Sequence, residues 1–331
     1  MKTLRLHATG NLRLHDEPVP TPDEGEELVH VKAVGVCGSD VHWFSEAGIG
    51  DAKLERPLVL GHEFAGVTKN GESVAVDPAI PCEECEFCER GHPNLCENIV
   101  FAGHGAQDGA LREWMAWPKR QLFPVPDSLT SADGAMLEPL GVAIHAVNLG
   151  KLQAGMTVGV FGCGPIGLLT VQLARLSGAS NIVATDLLPH RVEAAKGLGA
   201  QHAYLVENRL DMSQMGAATG GRGVDVAFEM AGEQDAVDDA FAAVVPGGKV
   251  ILCGIPSNDE TSFTASVARR KGLTVKLVRR MKHTYPHAIE LVSRGLVDVR
   301  SLVTHRFSIE HAAEAFEVAQ RREGLKIMIE V

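Results

Sequence analysis

The stretch from Val158 to Asp186 constrains this chain more than any other part of its sequence. It begins with a short apolar run, Val158–Phe161, of the kind that forms a buried parallel strand. The spacing Gly162-x-Gly164-x-x-Gly167 follows at once, and an apolar stretch with helical periodicity comes next. A second apolar run then ends on an acidic residue. This order of strand, glycine turn, helix, strand and acid predicts a dinucleotide-binding βαβ unit.

Each glycine of this fingerprint has a predicted task. Gly162 permits the tight turn, Gly164 lets the backbone approach a pyrophosphate, and Gly167 lets the helix pack closely on the strand. The free N–H groups and the positive dipole end of the helix attract phosphate. A lone fingerprint is weak evidence, because glycine-rich turns occur in many loops, but here the context matches on both sides.

The acidic residue predicts which dinucleotide binds. Asp186 lies 19 residues after Gly167, where a carboxylate can bind the two hydroxyls of the adenosine ribose. The same carboxylate would repel a 2′-phosphate, and Leu187 follows it rather than a basic residue, so we predict NAD rather than NADP. The expected cofactor-binding residues are Gly162, Gly164, Pro165, Ile166, Gly167, Asp186 and Arg191.

Length and charge restrict the class of protein. The 331 residues suggest two domains. Lys and Arg number 31 against 42 Asp and Glu, and the resulting net charge of −11 disfavours nucleic acid and anionic membranes as partners. The sequence has neither an apolar run of about 18 residues nor a recognisable signal peptide. We therefore expect a cytoplasmic protein with no nucleic-acid or membrane partner.

Four of the seven cysteines lie in one short segment. The spacing Cys82-x2-Cys85-x2-Cys88-x7-Cys96 brings together enough thiolates to close a tetrahedral shell around Zn²⁺. A closed shell leaves no open position, so the pattern predicts a structural zinc. Four free surface thiols would be unusual at this spacing, and an iron–sulfur cluster fits the last gap poorly. The odd cysteine count in a reducing compartment disfavours a disulfide framework.

A second set of metal-binding residue types is spread along the N-terminal part of the chain. It comprises Cys37, His62, Glu63 and Glu138. Taken singly, each has an ordinary explanation as a core cysteine, a turn histidine or a solvated glutamate. Taken together they supply a thiolate, an imidazole and carboxylates, which are the ligand types of a catalytic zinc with an open position.

The remaining patterns predict how the elements are arranged. Alternating strands and helices up to about residue 280 predict an open parallel sheet, preceded by a β-rich region. We expect one helical stretch over Ser131–Leu149, a turn at Pro246-Gly247-Gly248, and a closing strand, Lys326–Val331, that returns to the first domain.

The motifs occur in the order found in one enzyme family. The segments Cys37-Gly38-Ser39-Asp40-x-His42, Gly61-His62-Glu63 and Glu138-Pro139-Leu140, with the cysteine segment and the glycine fingerprint, resemble the zinc-dependent medium-chain dehydrogenases. The segments 302–307 and 324–328 resemble the sorbitol (polyol) dehydrogenase branch. The resemblance implies an α/β chain. A GroES-like β-rich catalytic domain would span 1–145, completed by 283–331, and an NAD-binding Rossmann domain with a doubly wound parallel sheet would span 146–282.

The resemblance also implies a role for individual residues. Cys37, His62 and Glu63 would surround the catalytic zinc, with Glu138 taking or approaching the remaining position through water. Asp40 would accept a hydrogen bond from the other ring nitrogen of His62. The substrate proton would leave through the Ser39 hydroxyl, the cofactor ribose and then His42. A purely structural role for His42 is an equal alternative.

The substrate pocket departs from the family pattern. Arg280 matches the family's substrate-contacting arginine, whereas Met281 replaces an aromatic residue. The loop Phe101–Gly105 would line the same pocket or form a plain glycine turn.

The sequence thus predicts a dehydrogenase that moves a hydride between a secondary alcohol of a polyol or sugar derivative and NAD, with one catalytic and one structural zinc. The alternatives are an L-threonine-type or other secondary-alcohol dehydrogenase and, in a different class, a non-catalytic NAD-binding protein. The resemblance further implies a homotetramer or homodimer whose subunits pair near Lys249–Cys253 and the following segment 254–256.

Overall fold

The computed structural model describes residues 1–331 and contains nineteen strands and eleven α-helices. The strands are β1 Lys2–Ala8, β2 Asn11–Asp16, β3 Glu26–Gly35, β4 Gly48–Ile49, β5 Ala52–Lys53, β6 Glu63–Thr68, β7 Ser73–Val76, β8 Ala79–Ile80, β9 Val100–Phe101, β10 Trp114–Pro118, β11 Leu122–Pro124, β12 Thr157–Phe161, β13 Asn181–Asp186, β14 His202–Leu205, β15 Val224–Glu229, β16 Val244–Leu252, β17 Thr274–Leu277, β18 Val303–Ser308 and β19 Lys326–Glu330. The helices are α1 Gly38–Glu46, α2 Glu86–Glu89, α3 Ser131–Ala135, α4 Leu137–Gly150, α5 Pro165–Leu176, α6 Pro189–Leu198, α7 Met212–Thr219, α8 Gln234–Ala243, α9 Ala265–Lys271, α10 Tyr285–Ser293 and α11 Ala312–Gln320.

The chain divides into two units. The first contains Met1–Pro139 together with Lys282–Val331, and the second contains Leu140–Met281. None of the helices is both long enough and apolar enough to span a membrane.

The first unit is built on a seven-stranded sheet of order β11-β7-β6-β3-β19-β18, with β10 also paired to β3. Strand β3 lies inside this sheet because its apolar residues are buried, Val29, Val31 and Val34 among them. Pairing of Gly35 with Glu63 on β6 and with Met328 on β19 brings the C-terminal end of β3 beside the starts of both neighbours. The C-terminal strand β19 therefore returns to the first unit, as the sequence predicts.

The second unit contains a six-stranded sheet of order β14-β13-β12-β15-β16-β17, in which every pair is parallel. Strand β12 lies in its interior because the run Val158–Phe161 is buried on both faces, with α5 following directly. The order reverses direction on either side of β12, which is the arrangement of a doubly wound nucleotide-binding sheet. The predicted α/β fold class is confirmed, because the first unit carries the mixed sheet and the second the parallel one.

The structure differs from two local predictions. The helical stretch over Ser131–Leu149 is two helices, because α3 ends before Met136 and α4 begins at Leu137. The turn predicted at Pro246-Gly247-Gly248 lies inside β16, where the register against β15 shifts and absorbs these residues as an irregularity. Strand β16 is the last but one in its sheet, since β17 pairs with it on the outside.

Candidate metal centre and cofactor site

Cys37 lies at the junction of a strand and a helix. It follows the end of β3 by two residues and is the N-cap of α1. The first N–H groups of a helix have no partner within the helix, so this end stabilises negative charge nearby. Cys37 lies at the N-terminal end of a helix, in the segment that also carries the buried Asp40.

His62 and Glu63 lie where the chain enters β6. The preceding residue, Gly61, has a φ of 92°, in the region that favours glycine. A Cβ atom there would come within 2.7 Å of Val34 Cγ1, so the turn also needs glycine for space. Both side chains are buried, with His62 at 5% and Glu63 at 1% relative exposure.

The carboxylate of Asp40 connects the two segments that carry these residues. Its Oδ2 accepts the N–H of Cys37 at 3.0 Å, and its Oδ1 accepts the N–H of Gly61 at 3.1 Å. The His62 Nδ1 lies 3.4 Å from Asp40 Oδ1. Burial disfavours the charged form of His62, but the neighbouring Asp40 and Cys37 outweigh it and raise the pKa of His62 well above its usual value. Asp40 thus occupies the place expected for the carboxylate that orients the ring, leaving Nε2 to face a metal.

Cys37, His62 and Glu63 together form a potential metal site. One ligand atom from each lies within 4.8 Å of the others. A sulfur, an imidazole nitrogen and a carboxylate oxygen at this separation fit a zinc ion with three protein ligands and an open position. Glu138, in the first turn of α4, is also buried, at 6% exposure. It belongs to the same unit.

A lysine that sequence reasoning did not single out lies in the same site. Lys326, the first residue of β19, forms an ion pair with Glu63 Oε2 and is 2% exposed. Burial disfavours its charge, but the negative groups of Glu63, Cys37 and Glu138 outweigh that effect and raise the pKa of Lys326. The only signal in the sequence was a lysine at the start of an otherwise apolar closing strand.

The predicted proton-transfer residues lie on α1. Ser39 and His42 are three residues apart and therefore share one face of this helix, and both are half-buried. The His42 Nδ1 lies 3.1 Å from Glu46 Oε1, one turn further along. His42 thus has a carboxylate partner at the exposed end of the helix.

Aromatic side chains lie beside the potential metal site. The rings of His62 and Phe101 have centroids 5.1 Å apart, and those of Trp43 and His104 are 5.6 Å apart in an edge-to-face arrangement. The loop 101–105 therefore contacts the site through Phe101. Two of its glycines, Gly103 and Gly105, also have positive φ values of 74° and 58°, so the loop is a glycine turn as well.

The four clustered cysteines form the second potential metal site. Their sulfurs also lie within 4.8 Å of one another, and the N–H of Cys82 donates to the Cys96 sulfur at 3.3 Å. The backbone N–H of Cys88 helps to lower the pKa of the Cys85 thiol to about 6. Within residues 82–96, which we call the cysteine lobe, only Asn94 and Cys96 are buried. The lobe therefore has almost no apolar core, and a closed four-sulfur shell fits a zinc that holds it together.

The glycine turn of the second unit has the predicted geometry. Gly162 follows β12 with a φ of 99°, and Gly164 is the N-cap of α5, with Pro165 as the first helical residue. A Cβ on Gly167 would overlap the carbonyl oxygen of Gly162, which explains the close approach of helix and strand. A Cβ on Gly164 would meet only Arg191 Nη1, at 3.8 Å. Ile166 completes this turn as the second residue of the helix.

Asp186, which we predict to bind the adenosine ribose, has hydrogen-bond partners within the protein. Its Oδ2 accepts the N–H of Cys163 at 2.7 Å, and its Oδ1 accepts the N–H of Leu188 at 2.9 Å. Arg191 Nη1 lies 4.0 Å from Oδ2. The carboxylate at the end of β13 therefore holds the glycine turn in shape, which the sequence pattern alone did not indicate.

A second buried carboxylate was also not predicted. Glu229 ends β15, pairs across from Phe161 and accepts the N–H groups of Ala231 and Gly232 at 2.7 Å each. Burial raises its pKa. Because a Cβ on Gly162 would lie 2.9 Å from Ala231, the turn held by Glu229 packs directly on the glycine turn.

Arg280 lies in the second unit, three residues after the end of β17. It is half-buried and has a positive φ of 55°, whereas the adjacent Met281 is buried, at 5% exposure. Its role toward a substrate stays a prediction.

The comparisons with known proteins agree with these two units. The alcohol dehydrogenase GroES-like domain matches residues 23–127, and the zinc-binding dehydrogenase family matches residues 165–294. Sorbitol dehydrogenase from Bacillus subtilis is 37% identical over 341 aligned positions, covering 99% of this chain and 97% of the relative.

Solved structures share the whole fold. An oxidoreductase of unknown specificity from Escherichia coli, described as involved in membrane biogenesis, aligns with a TM-score of 0.93 and 29% identity over 99% of this chain and 98% of its own. A zinc-binding dehydrogenase from Sinorhizobium meliloti, solved with NADP, aligns with a TM-score of 0.89 and 29% identity over 100% and 99%. The chain therefore belongs to the zinc-dependent medium-chain dehydrogenases, in their sorbitol dehydrogenase-like branch.

Proposed function

We propose that this protein oxidises a secondary alcohol of a polyol or sugar derivative to the ketone, with NAD as hydride acceptor. The observation that carries the proposal is the buried cluster of Cys37, His62 and Glu63, in a chain 37% identical to a sorbitol dehydrogenase along 99% of its length. A thiolate, an imidazole and a carboxylate leave a zinc ion one position for the alcohol. When bound, zinc supplies a Lewis acid that favours the alkoxide, and the nicotinamide accepts the hydride.

The chain's own residues position these groups. Asp40 holds the segments of His62 and Cys37 in a fixed position relative to each other, because its one carboxylate accepts a backbone N–H from each segment. Glu138 approaches the remaining position in our proposal. Phe101 supplies apolar surface beside the metal ligand His62.

The alcohol proton needs a route to solvent. We assign its first transfer to the Ser39 hydroxyl and its release to His42. The contact between His42 Nδ1 and Glu46 orients this imidazole toward the exposed end of α1, so the proton leaves on the solvent side.

The substrate class is tested by a panel of polyols, sugar alcohols, L-threonine and simple secondary alcohols, followed by NADH absorbance. A polyol substrate with the highest kcat/KM supports the proposal. A preference for L-threonine or a simple alcohol would favour the alternative dehydrogenases. NAD binding without turnover of any alcohol by zinc-loaded protein would favour a non-catalytic NAD-binding protein.

Arg280 should separate substrate recognition from chemistry. A guanidinium can hydrogen-bond the remote hydroxyls of a polyol but has nothing to hold on a small alcohol. Such a bond contributes about 1.5–3 kcal/mol, so Arg280→Ala should lower kcat/KM for the polyol by about tenfold to a hundredfold and leave a small alcohol almost unchanged. Arg279→Ala, at the exposed neighbouring position, is the matched control. Equal losses on both substrates would show that Arg280 is structural.

Cofactor choice should depend on Asp186. We expect the wild type to prefer NAD over NADP by at least about tenfold in kcat/KM, which is about 1.4 kcal/mol. A relative of the same fold was solved with NADP, so the preference rests on this carboxylate rather than on the fold.

The variant Asp186→Asn is the sharper test. Its amide oxygen can still accept one of the two N–H groups that Asp186 binds, so the glycine turn is retained while the negative charge is lost. NAD binding should weaken and the bias against NADP should relax. Asp211→Asn, at a helix N-cap of the same unit, is the control. A wild type that uses NADP better than NAD would refute the role given to Asp186.

We also propose a cytoplasmic homodimer or homotetramer. Strand β17 forms an edge of its sheet and carries Leu277, which is 75% exposed, and Ile255, in the segment that follows β16, is 51% exposed. A sheet edge with apolar side chains favours pairing with another chain. We therefore move the expected contact from β16 to β17 and keep the segment 254–256. Light scattering at micromolar concentration should give two or four chains, and a monomer would exclude this.

A further inference from the structure

Lys326 is unusual among the basic residues of this protein. Of its 31 lysines and arginines, it is the only one that is buried. Moving an ammonium group out of water is costly unless it is paired and hydrogen-bonded. The position therefore needs an explanation beyond packing.

The pairing of β19 with β3 places Lys326 beside the metal ligands. Strand β19 lies beside β3, and the N–H of Val36 donates to the carbonyl of Ile327 at 3.0 Å. On the other side, the N–H of Lys326 donates to the carbonyl of Leu302 at 2.9 Å. The backbone of Lys326 is thus fixed immediately beside the segment that leads to Cys37.

Gly35 leaves the space in which the lysine meets its partner. A Cβ at Gly35 would overlap Glu63 Oε2 and would lie 3.0 Å from Lys326 Cε. Gly35 does not have a positive φ, so its small size rather than its backbone freedom is what this position uses. The last residue of β3 therefore provides the room for a buried ion pair between Lys326 and Glu63.

The charges around the site explain what the ammonium can do. Cys37, Glu63 and Glu138 would present three negative charges to a zinc dication, leaving one negative charge without compensation in a buried place. The negative groups of all three act on Lys326. Its ammonium lies beside this charge, while the Asp40 carboxylate is held by the His62 ring and by two backbone N–H groups.

We infer that Lys326 is a positioning residue that shares the Glu63 carboxylate with the catalytic zinc. By holding Oε2, it weakens Glu63 as a metal ligand and prevents Glu63 and Glu138 from closing the metal shell together. The position that the alcohol needs stays open, at the cost of weaker zinc binding. The inference rests on the proposed zinc site at Cys37, His62 and Glu63.

The sign of the expected effect distinguishes this role from simple structural support. Removing a group that contacts a metal ligand changes metal affinity by about 10- to 100-fold. The metal usually binds more weakly afterwards, because the group removed is usually a hydrogen-bond acceptor that orients the ligand. Here the partner is a cation that competes with the metal. Removing it should therefore tighten zinc binding and lower turnover.

The experiment measures zinc release from the loaded enzyme to a chromogenic chelator, together with kcat. In Lys326→Met and Lys326→Gln, the site zinc should leave at least about tenfold more slowly than in the wild type, and kcat should fall. Lys326→Arg keeps the charge and should restore both values toward the wild type. The zinc of the cysteine lobe is an internal reference, because its release should not change in any variant.

A matched substitution controls for loss of a lysine ion pair in general. Lys2→Met breaks a pair with Glu310 in which both side chains are exposed, and it should leave zinc release and kcat unchanged. Faster or unchanged zinc release in both neutral variants of Lys326 would overturn the inference, as would an equal effect in Lys326→Arg. Wild-type protein with only one zinc per chain would instead refute the proposed catalytic site, a different failure.

Discussion

Replacing His62 with alanine is expected to abolish turnover with every substrate and to remove one zinc per chain. His62 is buried, its Nδ1 faces Asp40, and it belongs to the cluster with Cys37 and Glu63. Without the metal no alkoxide forms near neutral pH. The loss should be at least about 10³-fold, since removing even one hydrogen-bond donor from a developing oxyanion costs about 10²- to 10³-fold. Metal analysis and kcat on the full substrate panel measure both effects.

The control for His62→Ala is His202→Ala, a half-buried histidine of the second unit that stacks on Tyr204. It should keep two zincs and full activity. A graded result is expected from Asp40→Asn, which should weaken metal affinity by about tenfold to a hundredfold, because the amide keeps only one of the two acceptor oxygens and loses the negative charge. Retention of zinc and activity by His62→Ala would refute the ligand assignment.

The parts of the site that sequence could predict are those encoded locally. The glycine fingerprint and Asp186 lie within one βαβ unit, so short-range pattern determines their geometry. The four cysteines lie within fifteen residues, and their spacing alone brings the sulfurs together. Grouping Cys37 with His62 and Glu63 required the family resemblance, because spacing cannot say which distant residues meet.

What sequence could not predict depends on strand register. Lys326 reaches Glu63 only because β19 pairs with β3 in one particular register, and a shift by one residue would turn its side chain to the opposite face. The space at Gly35 is likewise visible only once both neighbours of β3 are known. The hydrogen bonds from the N–H groups of Cys163 and Leu188 to Asp186 could not be predicted either, because they depend on the three-dimensional shape of the turn.

The break between α3 and α4 is explained by contacts at the start of α3 that the apolar pattern does not reveal. Thr130 and Asp133 form a capping box at the start of α3, and Arg300 contributes hydrogen bonds to the same aspartate from a distant part of the first unit. These contacts fix the short helix separately from α4. An apolar periodicity over Ser131–Leu149 cannot reveal such a tertiary constraint.

The second large effect is expected in the cysteine lobe. Cys96 is its buried sulfur, at 3% exposure, and it accepts the N–H of Cys82. Cys96→Ser should remove the zinc of the lobe, because a hydroxyl is a poor replacement for a thiolate, and structural zinc sites of this type contribute about 10–16 kcal/mol in small peptides. With almost no apolar core, residues 82–96 should then unfold.

Three measurements test the Cys96→Ser variant. Metal analysis should give one zinc per chain instead of two, limited proteolysis should cut within residues 82–96, and the melting temperature should fall. Polar contacts that would remain include Arg120 to Glu83 at 2.9 Å and Lys282 to His92 at 3.0 Å. Both are too exposed to replace a metal. Cys253→Ser, outside both clusters, should keep two zincs and protease resistance.

Activity then separates the two metal sites. Cys37 lies between β3 and α1, and His62 and Glu63 lie where β6 begins. All three are outside the lobe, so Cys96→Ser should retain the catalytic zinc and part of the turnover. Mild chelation of the wild type should show the same order, because the shell with an open position loses its metal first and activity disappears with it. If Cys96→Ser kept two zincs and resisted proteolysis, the four-sulfur site would have no structural role. If it lost both zincs together, the two sites would not be independent.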